Sequence, residues 1–183
     1  FIGALAFLGL VGLGFAQTNN WHQVNVYIPP VLKVSVNAQE VTFDFDSDQG
    51  GGDLTVGGTS YPRASRANYE AFLEANASSQ LFAPTQVSLR DGSTDDWVTL
   101  TVISNRAQWT ASVGRDQNTA LDAPLDNSRV HVYAEKISGG GTSQTNAPTP
   151  ISNSGEVPLA QSTQGGQGKS VYKVYHLLRL DLS

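Results

Sequence analysis

The 183-residue chain contains no cysteine and no methionine, and only 15% of its residues are charged. Without cysteine it has no disulfide, no thiolate zinc or iron–sulfur site and no cysteine nucleophile. Its 11 lysines and arginines are outnumbered by 16 acids, and the net charge is -5. Because nucleic-acid binding depends on clustered basic side chains that neutralise phosphates, and the basic residues here are scattered, we expect no nucleic-acid partner.

Catalytic motifs are also lacking. The chain has no G-x-S-x-G nucleophile elbow and no H-E-x-x-H zinc helix. His131 and His176 each lie within an alternating strand pattern, which is typical of packed or face-exposed strand residues. The stretch Gly166–Ser170 resembles the end of a phosphate-binding loop, but a strand pattern follows it where that loop needs a helix, so we interpret it as a hairpin loop. We therefore expect a protein that is not an enzyme and needs no cofactor.

What the chain does have is alternation of apolar and polar residues with period two, the pattern of half-buried strands. Strands are predicted at 24–28, 32–38, 41–46, 86–89, 97–103, 108–113, 129–137 and 170–182. A single helix is predicted at 65–77, with Ser65 as its N-cap. Residues 138–155 are rich in Gly, Ser, Thr and Asn and are expected to form a solvent-facing loop. The fold class predicted for 17–183 is all-β, an antiparallel immunoglobulin-like β-sandwich with one short helical insertion.

The segment Phe1–Ala16 is uncharged and apolar. One interpretation is the hydrophobic part of a secretory signal peptide, with Gly14 and Ala16 at the positions that signal peptidase prefers. As a helix the segment would reach only about 24 Å and would contain four glycines, so no stable membrane span is expected. The other interpretation is an assembly strand that inserts into a neighbouring copy. Its bulky side chains would then share one face: Phe1, Leu5, Phe7, Val11, Leu13 and Phe15.

Two acidic stretches and the aromatic residues suggest binding sites. Asp44, Asp46 and Asp48 have a spacing that can direct three carboxylates at calcium, although the EF-hand pattern is not matched. The alternative is solvated acids, with Asp44 and Asp46 on the solvent face of a strand. A second acidic turn holds Asp91, Asp95 and Asp96. The tryptophans Trp97 and Trp109 suit a platform for a surface glycan, or equally the core of a sandwich.

Three stretches carry a resemblance to a known class of proteins: VxVYIPPVLKVSVNAQEVTFDF from Val24, VTLTVISNRAQWTASV from Val98, and VYKVYHLLRLDL from Val171. They resemble secreted bacterial and archaeal surface-fibre subunits of fimbrial, spore-coat-like or biofilm-fibre type. An N-terminal Phe that opens an apolar run is also similar to type IV pilins, but Leu5 stands where those carry Glu. The resemblance implies an extracellular structural subunit, exported through a signal sequence, that forms a homopolymer. The alternative is a secreted monomeric adhesin or carbohydrate-binding module.

Overall fold

The computed structural model describes residues 26, 28–48, 51–114, 129–151 and 155–182. It is predominantly antiparallel β-structure with one short helix, which confirms the all-β prediction. The helix α1 spans Arg66–Ala75. The strands are β1 Leu32–Val36, β2 Ala38–Thr42, β3 Leu54–Val56, β4 Thr59–Tyr61, β5 Ser79–Phe82, β6 Gln86–Leu89, β7 Thr94–Asp95, β8 Val98–Ser104, β9 Trp109–Gly114, β10 Val130–Ser138, β11 Thr142–Ser143, β12 Thr149–Pro150, β13 Glu156–Ser162 and β14 Gly168–Asp181.

The largest sheet has six strands in the order β1-β8-β14-β10-β12, and β5 pairs with the C-terminal part of β14. Its central strand is β14, which has 14 residues and pairs with β8 and β10 along its two edges. Alternation along 170–182 predicts that the even-numbered positions of β14 share one face. Tyr172 and Val174 on that face are buried in the main hydrophobic core.

Two three-stranded sheets, β11-β13-β9 and β2-β6-β7, supply the other side of the main core. Trp109 of β9, Leu159 of β13 and Val87 of β6 belong to the same buried cluster as Val102 of β8 and Val132 of β10. The core therefore lies between the six-stranded sheet and a second layer made of two separate sheets.

The β3–β4 hairpin is associated with the opposite face of β14. Leu54 and Val56 of β3 form a second buried cluster with Tyr175 and Leu177, which occupy odd-numbered positions of β14. Because successive side chains of a strand point to opposite faces, the middle of β14 is buried on both sides.

The helix begins and ends close to its predicted limits. The Oγ atom of Ser65 accepts a hydrogen bond from the backbone N–H of Asn68 at 3.3 Å, which is the expected N-cap. Asn76 ends the helix in the left-handed conformation, at φ 48°. Phe72 is the buried residue of α1 and meets the ring of Phe82 edge-on, with 5.7 Å between the ring centroids.

Three predicted strands differ from the structure. The strand expected at 32–38 ends at Val36, because the chain enters a different sheet at Ala38. The strand expected at 41–46 is instead the end of β2, which spans Ala38–Thr42. It stops there because Asp44 folds the following residues into a turn. Of the strand expected at 24–28, Val26 and Ile28 are described; they lie outside any strand and are 72% and 75% exposed.

The expectation of a solvent-facing loop at 138–155 is wrong for the described residues of this stretch, which include two short strands. β11 pairs with β13 and β12 pairs with β10, so this stretch crosses between the two layers. Thr145 is buried, and its Oγ1 accepts the backbone N–H of Ala134 at 2.7 Å. This stretch has few apolar side chains, as its composition shows. Hydroxyl groups that hydrogen-bond to the backbone anchor it without apolar burial.

Candidate functional site

The inner face of β1 is apolar but uncovered. The strand register places Leu32, Val34 and Val36 opposite Ser104, Val102 and Leu100 of β8. Those β8 residues are buried, whereas Leu32, Val34 and Val36 are 53%, 50% and 45% exposed. Since residues opposite one another share a face of the sheet, the three β1 side chains continue the core surface beyond the point where the second layer covers it.

Asn37 sets the path of the chain beside this uncovered surface. The chain leaves the six-stranded sheet after Val36 and enters the β2-β6-β7 sheet at Ala38. The Oδ1 atom of Asn37 accepts the backbone N–H of Thr99 at 2.6 Å, and its backbone carbonyl accepts the N–H of Arg90 at 2.9 Å. These bonds hold β1 in one layer and β2 in the other.

An apolar groove of about 300 Å³ lies between the layers at this crossing. We call it the β2–β9 groove, after the two terminal strands of the second layer that line it. Its lining includes one carboxylate, that of Glu40, and is otherwise uncharged and mainly aliphatic. The lining residues are Val34, Val36, Ala38, Gln39, Glu40, Val41, Val98, Leu100, Ser112, Val113, Leu159, Val174 and His176.

Two strand edges accompany the groove. β9 pairs with β13 along one edge, and β2 pairs with β6 along one edge. Within the described ranges, no strand pairs with the second edge of either β9 or β2. The unpaired N–H and C=O groups of such edges can bind another strand. The groove therefore combines an apolar floor with backbone groups that can pair.

His176 lies in the lining of the groove. Burial lowers its pKa to about 4, because apolar surroundings disfavour the charged imidazolium. Its Nδ1 atom is buried and has no hydrogen-bond partner among the described residues. Burial also lowers the pKa of His131, whose Nδ1 lies 3.2 Å from the carbonyl oxygen of Arg129. Both are packed strand residues, and the third histidine, His22, lies outside the described residues.

The three aspartates of the predicted calcium site lie around the start of α1. The Oδ1 atom of Asp44 accepts the backbone N–H groups of Asp46 and Ser47 at 2.9 and 3.1 Å and so closes a turn. Asp46 forms an ion pair with Arg66, and Asp48 lies 3.6 Å from the same guanidinium. The hydrogen bond that Arg66 donates to the carboxylate of Asp46 is the main cause of the raised pKa of Arg66. In the part of the chain that the structure describes, no three acidic or histidine side chains are grouped to hold a metal ion.

The second acidic turn lies close to the first, which the sequence did not indicate. Asp95 and Asp96 line one open polar depression together with Asp44, Asp48 and Arg63. Asp96 forms an ion pair with Arg63 at 2.7 Å. Asp91 instead accepts hydrogen bonds from the hydroxyl and backbone N–H of Ser93, which lower its pKa.

The two tryptophans of the predicted glycan platform lie apart. Trp109 is buried; its Nε1 donates to the carbonyl oxygen of Gly166 at 2.8 Å, and its ring meets Tyr172 edge-on. Trp97 is partly buried beside Tyr175, and the Nζ atom of Lys173 lies 3.9 Å from its ring centroid. Trp109 is therefore a core residue, and Trp97 is covered by a cation on one side.

Comparison with protein-family models, with curated proteins and with solved structures gave no match. No helix within the described residues has the length and apolar character to cross a membrane.

The groove is the feature that sequence reasoning missed. Alternation predicts an amphipathic strand at 32–38, but an apolar strand face gives no sign of whether another layer covers it. The predicted assembly residues Phe1, Leu5, Phe7, Val11, Leu13 and Phe15 lie outside the described residues.

Proposed function

We propose that this protein is a non-enzymatic, extracellular structural subunit of a pilus-like filament or surface layer. Each copy inserts its segment Phe1–Ala16 into the β2–β9 groove of a neighbouring copy. The observation that carries this proposal is an apolar groove flanked by two strand edges that no described strand pairs. In this view the two layers form an immunoglobulin-like sandwich that lacks one strand, and the neighbour supplies it.

The chemistry of the segment and of the groove agree. The segment is uncharged along all 16 residues, with bulky side chains at alternate positions for much of its length. A strand in the groove would place every second side chain on Val34, Leu100 and Val174, which form part of the aliphatic lining. Burying three bulky side chains contributes roughly 5 to 9 kcal/mol before ordering costs. Association costs about 4 to 15 kcal/mol, so a stable joint also depends on backbone pairing at the two strand edges.

The absence of native cysteine makes a direct test by disulfide cross-linking simple. Val34→Cys is combined in one chain with a second cysteine placed in turn at Leu5, Phe7 or Val11, and the assembled protein is oxidised mildly. Insertion between copies produces a ladder of covalent multimers on a non-reducing gel. The matched control is Ile103→Cys in place of Val34→Cys, because Ile103 is 39% exposed and lies on the opposite face of the same sheet.

Each outcome of the cross-linking is decisive. A ladder with Val34→Cys and none with Ile103→Cys supports the proposal. Cross-linked monomers would show that the segment folds back into its own groove, and the proposed joint would be wrong. Equal ladders from both cysteines, or no cross-links from any pair, would also overturn it. If native material lacks residues 1–16, the monomeric adhesin or carbohydrate-binding module becomes the better description.

A further inference from the structure

The second layer of the molecule is interrupted at the groove. Among the described residues, the β11-β13-β9 sheet ends at β9 and the β2-β6-β7 sheet ends at β2, and both terminal strands line the same cavity. β9 has six residues and β2 has five. A strand of this length spans about 17 to 20 Å and places about three side chains on each face. The edges therefore match about one third of the segment Phe1–Ala16.

Resting on the proposed function, we propose that the inserted strand pairs with β9 along one edge and with β2 along the other. It thereby joins the two three-stranded sheets into one continuous layer over the six-stranded sheet. The occupant is the segment Phe1–Ala16 of a second copy. Its bulky face, which includes Leu5 and Phe7, points inward to the aliphatic lining, and its small face, which includes Ala4 and Ala6, points outward.

The chain is held by side-chain hydrogen bonds where it enters β1. Asn105 clamps this entry: its Oδ1 accepts the N–H of Val31 at 2.8 Å, and its Nδ2 donates to the carbonyl of Pro29 at 2.7 Å. Pro29 and Pro30 restrict the backbone to extended conformations. This clamp lies at the Leu32 end of β1, whereas the groove lining begins at Val34 and continues through β2. Residues 17–28 can span at most about 40 Å, so cross-linking of Val34→Cys decides between the chain's own groove and that of a second copy.

The polarity of the lining supports the inward direction of the bulky face. Apart from Glu40 and His176, the lining has no ionisable side chain, and Val98, Leu100 and Leu159 are already buried members of the main core. An inserted aliphatic or aromatic side chain extends this cluster. A charged group placed there loses its hydration without gaining a partner.

Hydrogen exchange on the full chain tests the pairing. The assembled protein is compared with a Phe7→Asp variant, which places a charge on the inward face and is expected to raise the critical concentration of assembly at least about 100-fold. We expect amides of both β9 and β2 to exchange at least about tenfold more slowly in the assembled form. The outer strands β7 and β11 serve as internal controls and should not change. The matched variant Ala6→Asp places the same charge on the outward face and should assemble within about tenfold of the unmodified chain.

The outcomes separate this inference from the proposed function. Slow exchange in only one of β9 and β2, or at β1 instead, would overturn two-sided pairing while leaving strand insertion intact. A cross-linking ladder without slowed exchange in either strand would mean that the inserted segment is buried in the groove but pairs with neither β9 nor β2. That result would also overturn two-sided pairing. Equal loss of assembly in Ala6→Asp and Phe7→Asp would overturn the assigned faces. Absence of any assembly by the unmodified chain would instead contradict the proposed function.

Discussion

At the scale of single residues, glycines and hydroxyls hold the turns onto the sheets. The carbonyl of Gly140 accepts hydrogen bonds from Ser170 Oγ at 2.8 Å and from Tyr172 OH at 3.1 Å. Gly139, at φ 90°, approaches β14 so closely that a Cβ would lie 2.3 Å from the carbonyl oxygen of Lys169. A run of glycines that reads as flexible in the sequence therefore serves close packing in the structure.

His176 makes stability depend on pH at the same scale. Its pKa is about 4 in the folded protein, against 6.5 for an ordinary histidine, so the unfolded chain binds the extra proton first as the pH falls. Stability is unaffected above pH 6.5 and decreases as the pH falls from 6.5 toward 4. Between pH 6.5 and 5 the expected loss is about 2 kcal/mol. Urea unfolding of the non-assembling Phe7→Asp chain at pH 5 to 7.5 measures this loss.

The variant His176→Leu, made in the same background, should remove most of this pH dependence, because it keeps an apolar side chain of similar size and has no proton to bind. His131→Leu is the comparison variant. Burial also lowers the pKa of His131, but His131 does not line the groove. An unchanged pH slope in His176→Leu would show that other groups cause it.

At the scale of elements, the crossing from β1 to β2 determines whether the groove exists. Val36 and Ala38 are adjacent to Asn37 in the chain but belong to different layers. If the chain continued straight, β2 would extend the six-stranded sheet and would not form a wall of the groove. The hydrogen bonds of Asn37 to Thr99 and Arg90 are the local cause of the change of layer.

Replacing Asn37 by Ala should therefore destabilise the fold. It removes the acceptor of the Thr99 N–H, which lies in a partly buried position, and the expected cost is about 1 to 3 kcal/mol. Asn105→Ala is the matched control, because it removes two hydrogen bonds at the other end of β1 in an exposed position, where water can replace them. Chemical denaturation should show a smaller loss, under about 1 kcal/mol, for Asn105→Ala. Equal losses would contradict a special role for the crossing.

The elements that the sequence predicted well are those with strong local causes. The cap at Ser65 and the alternation along β14 depend on neighbouring residues, so helix and strand were placed within a few positions. The anchoring of Thr145 and the proximity of the two acidic turns depend on residues distant in sequence. The turn at Asp44 is local, because its Oδ1 atom accepts the N–H groups of Asp46 and Ser47, but the alternation of apolar residues does not indicate it. The groove could not be predicted because it is defined by edges of β2 and β9 that no strand among the described residues pairs, and pairing is a property of the whole sheet.

At the scale of the whole molecule, the proposed joint is apolar and the subunit carries a net charge of -5. Assembly brings like charges together, and salt screens that repulsion, since the Debye length falls from about 10 Å at 0.1 M to about 3 Å at 1 M. Apolar burial itself does not need counter-charges and weakens on cooling. The joint should therefore respond to temperature more than to ionic strength.

We expect the critical concentration of assembly to stay constant or fall a few-fold, roughly two- to fivefold, between 0.05 and 0.5 M NaCl, and to rise on cooling from 25 to 5 °C. Sedimentation of the assembled fraction at each condition measures both effects. Glu40→Gln is the control, because it removes the carboxylate of the groove lining and should leave the salt response unchanged. An aliphatic joint contains no attractive charge pair for salt to screen. A critical concentration that rises steeply with salt, and rises less steeply in Glu40→Gln, would therefore contradict this prediction. It would mean that ion pairs at Glu40 hold the subunits together.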